Sequence, residues 1–149
     1  MKKHLTWIPA IYITFVFIQS LFFKFSGSEE TVIIFSTIGT WMGSIGFPDT
    51  LAGYFAQYGG IGVGSVELVA SVLVLWPRTR FYGAAIALFV ISGAIFFHLF
   101  TPLGVNRIVD AAGNTDGGVL FMMACGVWLC AAFLIGSEFV KKQNKTYVH

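Results

Sequence analysis

The sequence predicts an all-α polytopic membrane protein: a four-transmembrane-helix bundle with an additional amphipathic helix in its first outer loop. Composition is the first reason. Of 149 residues, 56% are hydrophobic and only 11% are charged, against about 25% charged in a soluble domain. The second reason is run length. Residues 5–23, 81–100 and 118–137 contain no Asp, Glu, Lys or Arg, and each run has about the 20 residues a helix needs to cross ~30 Å of hydrocarbon. A fourth run, 59–76, is similar in length but carries one acid, Glu67, near its middle. The third reason is charge placement. When the four spans are laid end to end, Lys2, Lys3, Arg78, Arg80, Lys141, Lys142 and Lys145 fall on one side, leaving Lys24 and Arg107 on the other. Seven basic residues against two predict that both termini face the cytoplasm of a bacterial inner membrane. The chain is expected to form a single membrane domain over 1–149.

The first span is expected to stay attached. Lys2 and Lys3 precede it as in a signal peptide, but the apolar stretch exceeds a signal h-region, and Ser20 to Ser26 offers no small-x-small cleavage site. The outer segment 28–58 follows. Ser28 suits a helix N-cap, and Glu29 and Glu30 fall in the first turn, where the helix dipole favours acids. Ile34, Ile38, Trp41, Met42 and Ile45 then recur at helical spacing, predicting an amphipathic helix that lies in the interface or caps the bundle. Gly46 and Pro48 should end it, Leu51 to Tyr58 is expected to form another short turn of helix, and Gly59-Gly60 should loosen the chain at the mouth of the second span. The connector Pro77 to Arg80 is so short that spans two and three must be antiparallel neighbours. In the second outer loop, Asn114 or Asp116 can cap the fourth helix. The spacing of Asp110, Asn114 and Asp116 fits no calcium loop, and no metal site is expected. Cys125 and Cys130 lie five apart on one helix, too far around it to bridge.

Candidate chemistry centres on Glu67. A carboxylate in mid-membrane costs about 2.5–3.5 kcal/mol on insertion scales, so it should face inward and find a partner. Gly60, Gly64, Glu67 and Ser71 share one small, polar face. Ala84, Ala87, Ile91, Ala94 and His98 form a similar face on the third span, with Gln19, Ser20 and Lys24 on the first and Asp116, Val119, Met123, Gly126 and Cys130 on the fourth. Glu67, His98, Lys24, Gln19 and Asp116 are therefore the candidates for ligand binding or proton exchange. Pairing of Glu67 with Lys24, or a hydrogen bond to Gln19, would equally serve helix packing alone. A single histidine within the spans argues against a haem, and the glycines at 60, 62 and 64 match close helix contact better than a nucleotide loop.

The segments Phe23-Lys24-Phe25 with Gly27, Gly64-Ser65-Val66-Glu67-Leu68, and Phe97-His98-Leu99-Phe100-Thr101-Pro102-Leu103-Gly104, together with the short basic turn before an alanine-rich third span, resemble the DoxX family of small membrane proteins. The likeness runs from about Phe15 to Ile135. It implies a four-helix bundle, a link to quinone oxidoreductases, and Lys24, Glu67 and His98 as family-like positions. The resulting expectation is a quinone- or lipophile-binding subunit of a membrane oxidoreductase system. Glu67 and His98 would act as proton partners, and a protein partner would supply electrons. No covalently held cofactor is implied. The expected contacts are the lipid bilayer, a lipophilic small molecule, and a partner protein or second copy, with no nucleic acid. The rival expectations are a non-enzymatic membrane assembly factor and a small proton-coupled exporter.

Overall fold

A computed structural model describes residues 5–146, with side chains described through Val140. Lys2, Lys3, His4 and His149, and the side chains of Lys141, Lys142 and Lys145, lie outside the described residues. Five long helices account for most of the chain: α1 (Trp7–Phe25), α2 (Glu29–Ser44), α3 (Asp49–Leu75), α4 (Arg80–Phe100) and α5 (Val119–Thr146). Four of them, α1, α3, α4 and α5, are long and apolar enough to cross a membrane. Only 22–33% of each such window is buried inside the protein. Their outward side chains include Phe15, Phe22, Val72, Phe89, Met122 and Leu129, an apolar exterior that suits a helical membrane protein.

The four long helices close a ring in which α1 packs on α3 and α5, and α4 packs on α3 and α5. Its core is built from small and branched side chains, with Ala10, Ile13 and Phe17 of α1 meeting Ala70, Val74, Ala84, Ala87, Val127, Ala131 and Leu134. Alanines at the contact let the backbones approach closely. The short turn between α3 and α4 does make them antiparallel neighbours. Thr79 holds it by donating its hydroxyl to the Leu73 carbonyl at 3.0 Å.

α2 starts where its sequence says it should. Ser28 Oγ accepts from the Thr31 N–H at 3.3 Å, with Glu29 and Glu30 in the first turn. It stops at Gly46, which takes φ +97°, a left-handed conformation open to glycine. The buried residues of α2 are Thr31, Phe35, Ile38 and Gly39, whereas Ile45 is exposed. The contact face is thus rotated from the expected stripe toward Phe35, and it packs on α3.

That packing overturns the expected break at Gly59-Gly60, because α3 runs unbroken from Asp49, ten residues before the expected start. The reason is steric. A Cβ at Gly59 would strike the Phe35 ring, and one at Gly60 would sit 2.9 Å from Thr31 Cγ2. The two glycines give α2 a flat surface instead of loosening the helix. At 27 residues, α3 is ~40 Å long at 1.5 Å per residue, longer than the hydrocarbon layer requires.

A second rotation occurs on α5. Its buried stripe is Ala124, Val127, Ala131 and Leu134, about 100° around the helix from Met123, Gly126 and Cys130. Gly126 still makes a close approach, to the hydroxyl of Tyr12. Cys125 and Cys130 are both free thiols.

Candidate functional site

Among the described residues, the end of the bundle where α1 finishes and α5 begins gathers most of the charged side chains that are buried or half-buried. Lys24 lies in the last turn of α1, where a cation suits the helix dipole. It reaches across to α3 and meets Glu67 Oε2 at 2.5 Å. Ser20, one turn earlier, donates to the same oxygen at 2.8 Å and accepts from Lys24 Nζ at 3.1 Å. The glutamate is 4% exposed. Its carboxylate is therefore compensated by one charge and one hydroxyl, as a buried acid must be. Gly64 makes room for this crossing, since a Cβ there would sit 2.9 Å from the Phe25 ring and 3.3 Å from Leu21.

A second charged group sits beside the first. Arg107, in the loop between α4 and α5, is 2% exposed along its side chain and pairs through Nη2 with Glu30 of α2. Its Nε lies 3.5 Å from Asp116 Oδ2. Asp116 has a further task, accepting from the backbone N–H groups of Gly118 at 3.0 Å and Leu120 at 3.1 Å. It is thus the cap of α5, while Asn114 is occupied with Asp110. Glu29 accepts from the Ala111 N–H at 2.7 Å. Two acids of α2 thereby clamp the loop, and the loop in turn clamps α5.

Between these groups lies a cavity of about 200 Å³. Its lining includes the polar side chains Gln19, Ser20, Lys24, Glu30, Arg107 and Asp116 and the apolar side chains Val16, Phe23, Ile34, Leu120 and Met123. Of the five candidates from sequence, Lys24, Gln19 and Asp116 line the cavity, and Glu67 adjoins it through Lys24 and Ser20. Gln19 lines the space without taking up Glu67, whose partners are Lys24 and Ser20.

His98 has a different setting. It is buried on α4, and its Nδ1 lies 2.7 Å from the Gly104 carbonyl. A carbonyl only accepts, so Nδ1 carries a proton. Phe121 meets the ring edge-on at a centroid distance of 5.7 Å. His98 is not among the residues lining the charged cavity. It holds the turn that follows α4, where Gly104 takes φ +72°.

Sequence reasoning missed Glu30 and Arg107 as site residues, treating the first as a helix-start acid and the second as a count toward orientation. The available signal was an arginine in the short run Val105-Asn106-Arg107-Ile108-Val109, where three of the four flanking residues are apolar, a setting in which a buried cation needs a partner. No family model matches the chain, and no curated protein or solved structure does either.

Proposed function

We propose that this chain is a DoxX-like protein of the bacterial inner membrane, with both termini cytoplasmic and α2 lying at the outer face. Its outer cavity binds the head of a lipophilic molecule, a quinone in the first place, on behalf of a membrane oxidoreductase system. The observation that supports this reading is a cavity lined by charged and apolar side chains together. At about 200 Å³ it falls short of the roughly 300–1,000 Å³ of a site that swallows a whole drug-sized ligand. It suits a head group whose tail lies among the lipid-facing side chains. The Lys24–Glu67 pair is the proton-exchanging unit nearest that space, and His98 supports it at one remove by ordering the 101–104 turn.

The test is to isolate the protein from native membranes and identify the lipophiles that come with it, beside a Met123→Trp variant that fills the cavity. A quinone retained by the native protein and lost from the variant is the expected result. Equal amounts in both would place any binding elsewhere and promote the assembly-factor reading. Orientation is checked separately. A reporter active only in the cytoplasm should work when fused after His149, and one active only outside should work when inserted at Gly113.

A further inference from the structure

The cavity also indicates which kind of head it takes. Lys24 directs two of its three N–H donors to Glu67 and Ser20. Arg107 leaves more of its donors unmet. Its Nη2 serves Glu30 and its Nε lies 3.5 Å from Asp116, but Nε and Nη1 are both buried with no hydrogen-bond acceptor among the described residues. A buried guanidinium N–H left without an acceptor is costly, and these belong to a residue that lines a cavity. Charge then narrows the choice. Three carboxyl groups, Glu30, Glu67 and Asp116, face two cations, Lys24 and Arg107. That leaves no surplus positive charge to hold an anion, and a carboxylate or phosphate head would be stripped of water beside Glu30 and Asp116.

We infer that Arg107 is the ligand-reading residue of this site, and that it recognises a neutral head through an acceptor oxygen such as a carbonyl, with anionic lipid heads disfavoured. The inference rests on the lipophile-binding reading above. A carbonyl accepts the free Nη1–H without bringing a charge, while Leu120 and Met123 lie against the apolar part of the same molecule. Asp116 and Glu30 position the guanidinium, and because Asp116 is fixed as the α5 cap, so is the donor.

The experiment measures binding of three probes to the full chain in lipid nanodiscs: a short-tailed ubiquinone, decanoate and decylbenzene. Native protein should bind the quinone at least about tenfold more tightly than the other two, the scale of one hydrogen bond from a charged donor. Arg107→Lys keeps the charge beside Glu30 but loses the fork. It should weaken the quinone by at least about tenfold and leave decylbenzene unchanged. A second measurement does not depend on any variant folding: the isotope-edited infrared carbonyl stretch of the bound quinone should shift to lower frequency. Decanoate binding as tightly as the quinone would overturn the preference for a neutral head. An unshifted stretch, or an Arg107→Lys protein with native quinone affinity, would overturn the role of Arg107 while leaving lipophile binding intact. No binding of any probe would remove the lipophile reading itself, and this inference with it.

Discussion

The two ends of the bundle each bury an arginine, and they do so differently. At the end shared by the start of α1 and the start of α4, Arg80 is 3% exposed. It donates from Nε to the Val74 carbonyl at 2.9 Å and from Nη1 to the Thr6 hydroxyl at 2.9 Å. Its guanidinium lies 4.4 Å from the Trp7 ring centre. Its contacts thus include a carbonyl, a hydroxyl and an aromatic face, with the Glu138 carboxylate near enough to act on its charge. At the opposite end, Arg107 sits among carboxylates and beside open space. Each arginine has one terminal nitrogen without an acceptor, but Arg80 lines neither of the two described cavities. A buried cation therefore has no single meaning. Contacts to Thr6, Trp7 and Val74 make Arg80 a clamp between α1, α3 and α4, whereas carboxylates in contact and an adjoining cavity make Arg107 a recognition group.

The sharpest way to break this contrast is Arg80→Met. The variant loses two hydrogen bonds from a charged donor and the contact with Trp7, so unfolding in detergent should become easier by about 3–5 kcal/mol. Its quinone affinity, measured on the fraction that remains folded, should be native. A loss of affinity as large as that of Arg107→Lys would mean that the two ends are not distinct.

Glu67→Gln should cost less, about 2 kcal/mol, because Lys24 is 16% exposed and its long stem can carry the charge toward the boundary once the acid is gone. Adding Lys24→Met should recover most of that loss. Additive effects in the double variant would show that the pair contributes nothing to stability.

Glycines sharpen the comparison on a smaller scale. A Cβ at Gly83, near the Arg80 end, would run into the backbone of Leu73 and Val74, whereas one at Gly126 would meet the movable hydroxyl of Tyr12. Overpacking at Gly83, offset in part by the helical preference of alanine, should give Gly83→Ala a net loss of about 1 kcal/mol. Gly126→Ala should be close to neutral, and equal losses at the two sites would show that backbone and side chain yield alike.

The smallest effect belongs to the loop that carries Arg107. Hydrogen bonds from the side chain and backbone of Asn114 hold the Asp110 carboxyl below its ordinary range. A pKa lowered by folding means that the stabilisation is present above the unfolded value and fades as pH falls through the folded one. Exchange protection of the Asn114 amide should therefore persist at neutral pH and decline only in acid. Protection independent of pH would leave the turn to its backbone bonds alone.

Much of this architecture could be read from the residues before any coordinates. Runs of apolar residues near the length of a bilayer announced the four long helices, and Ser28 with two following acids announced α2, because both signals are local and survive any packing. Pairing of Lys24 with Glu67 was legible for a related reason, since a carboxylate in an apolar helix demands a cation and few were available. Rotation was not legible. The faces of α2 and α5 that meet the bundle turn on Phe35 lying flat over Gly59 and Gly60 and on Ala124, Val127 and Ala131 fitting closely, which are matters of shape between helices distant in sequence. Nor could the residues announce that Glu30 and Arg107, 77 positions apart, share one cavity while His98 turns to Gly104 instead. Hydropathy and helical period report which side of a helix is apolar. Which neighbour that side meets, and what space is left between them, is set by long-range packing that no local pattern encodes.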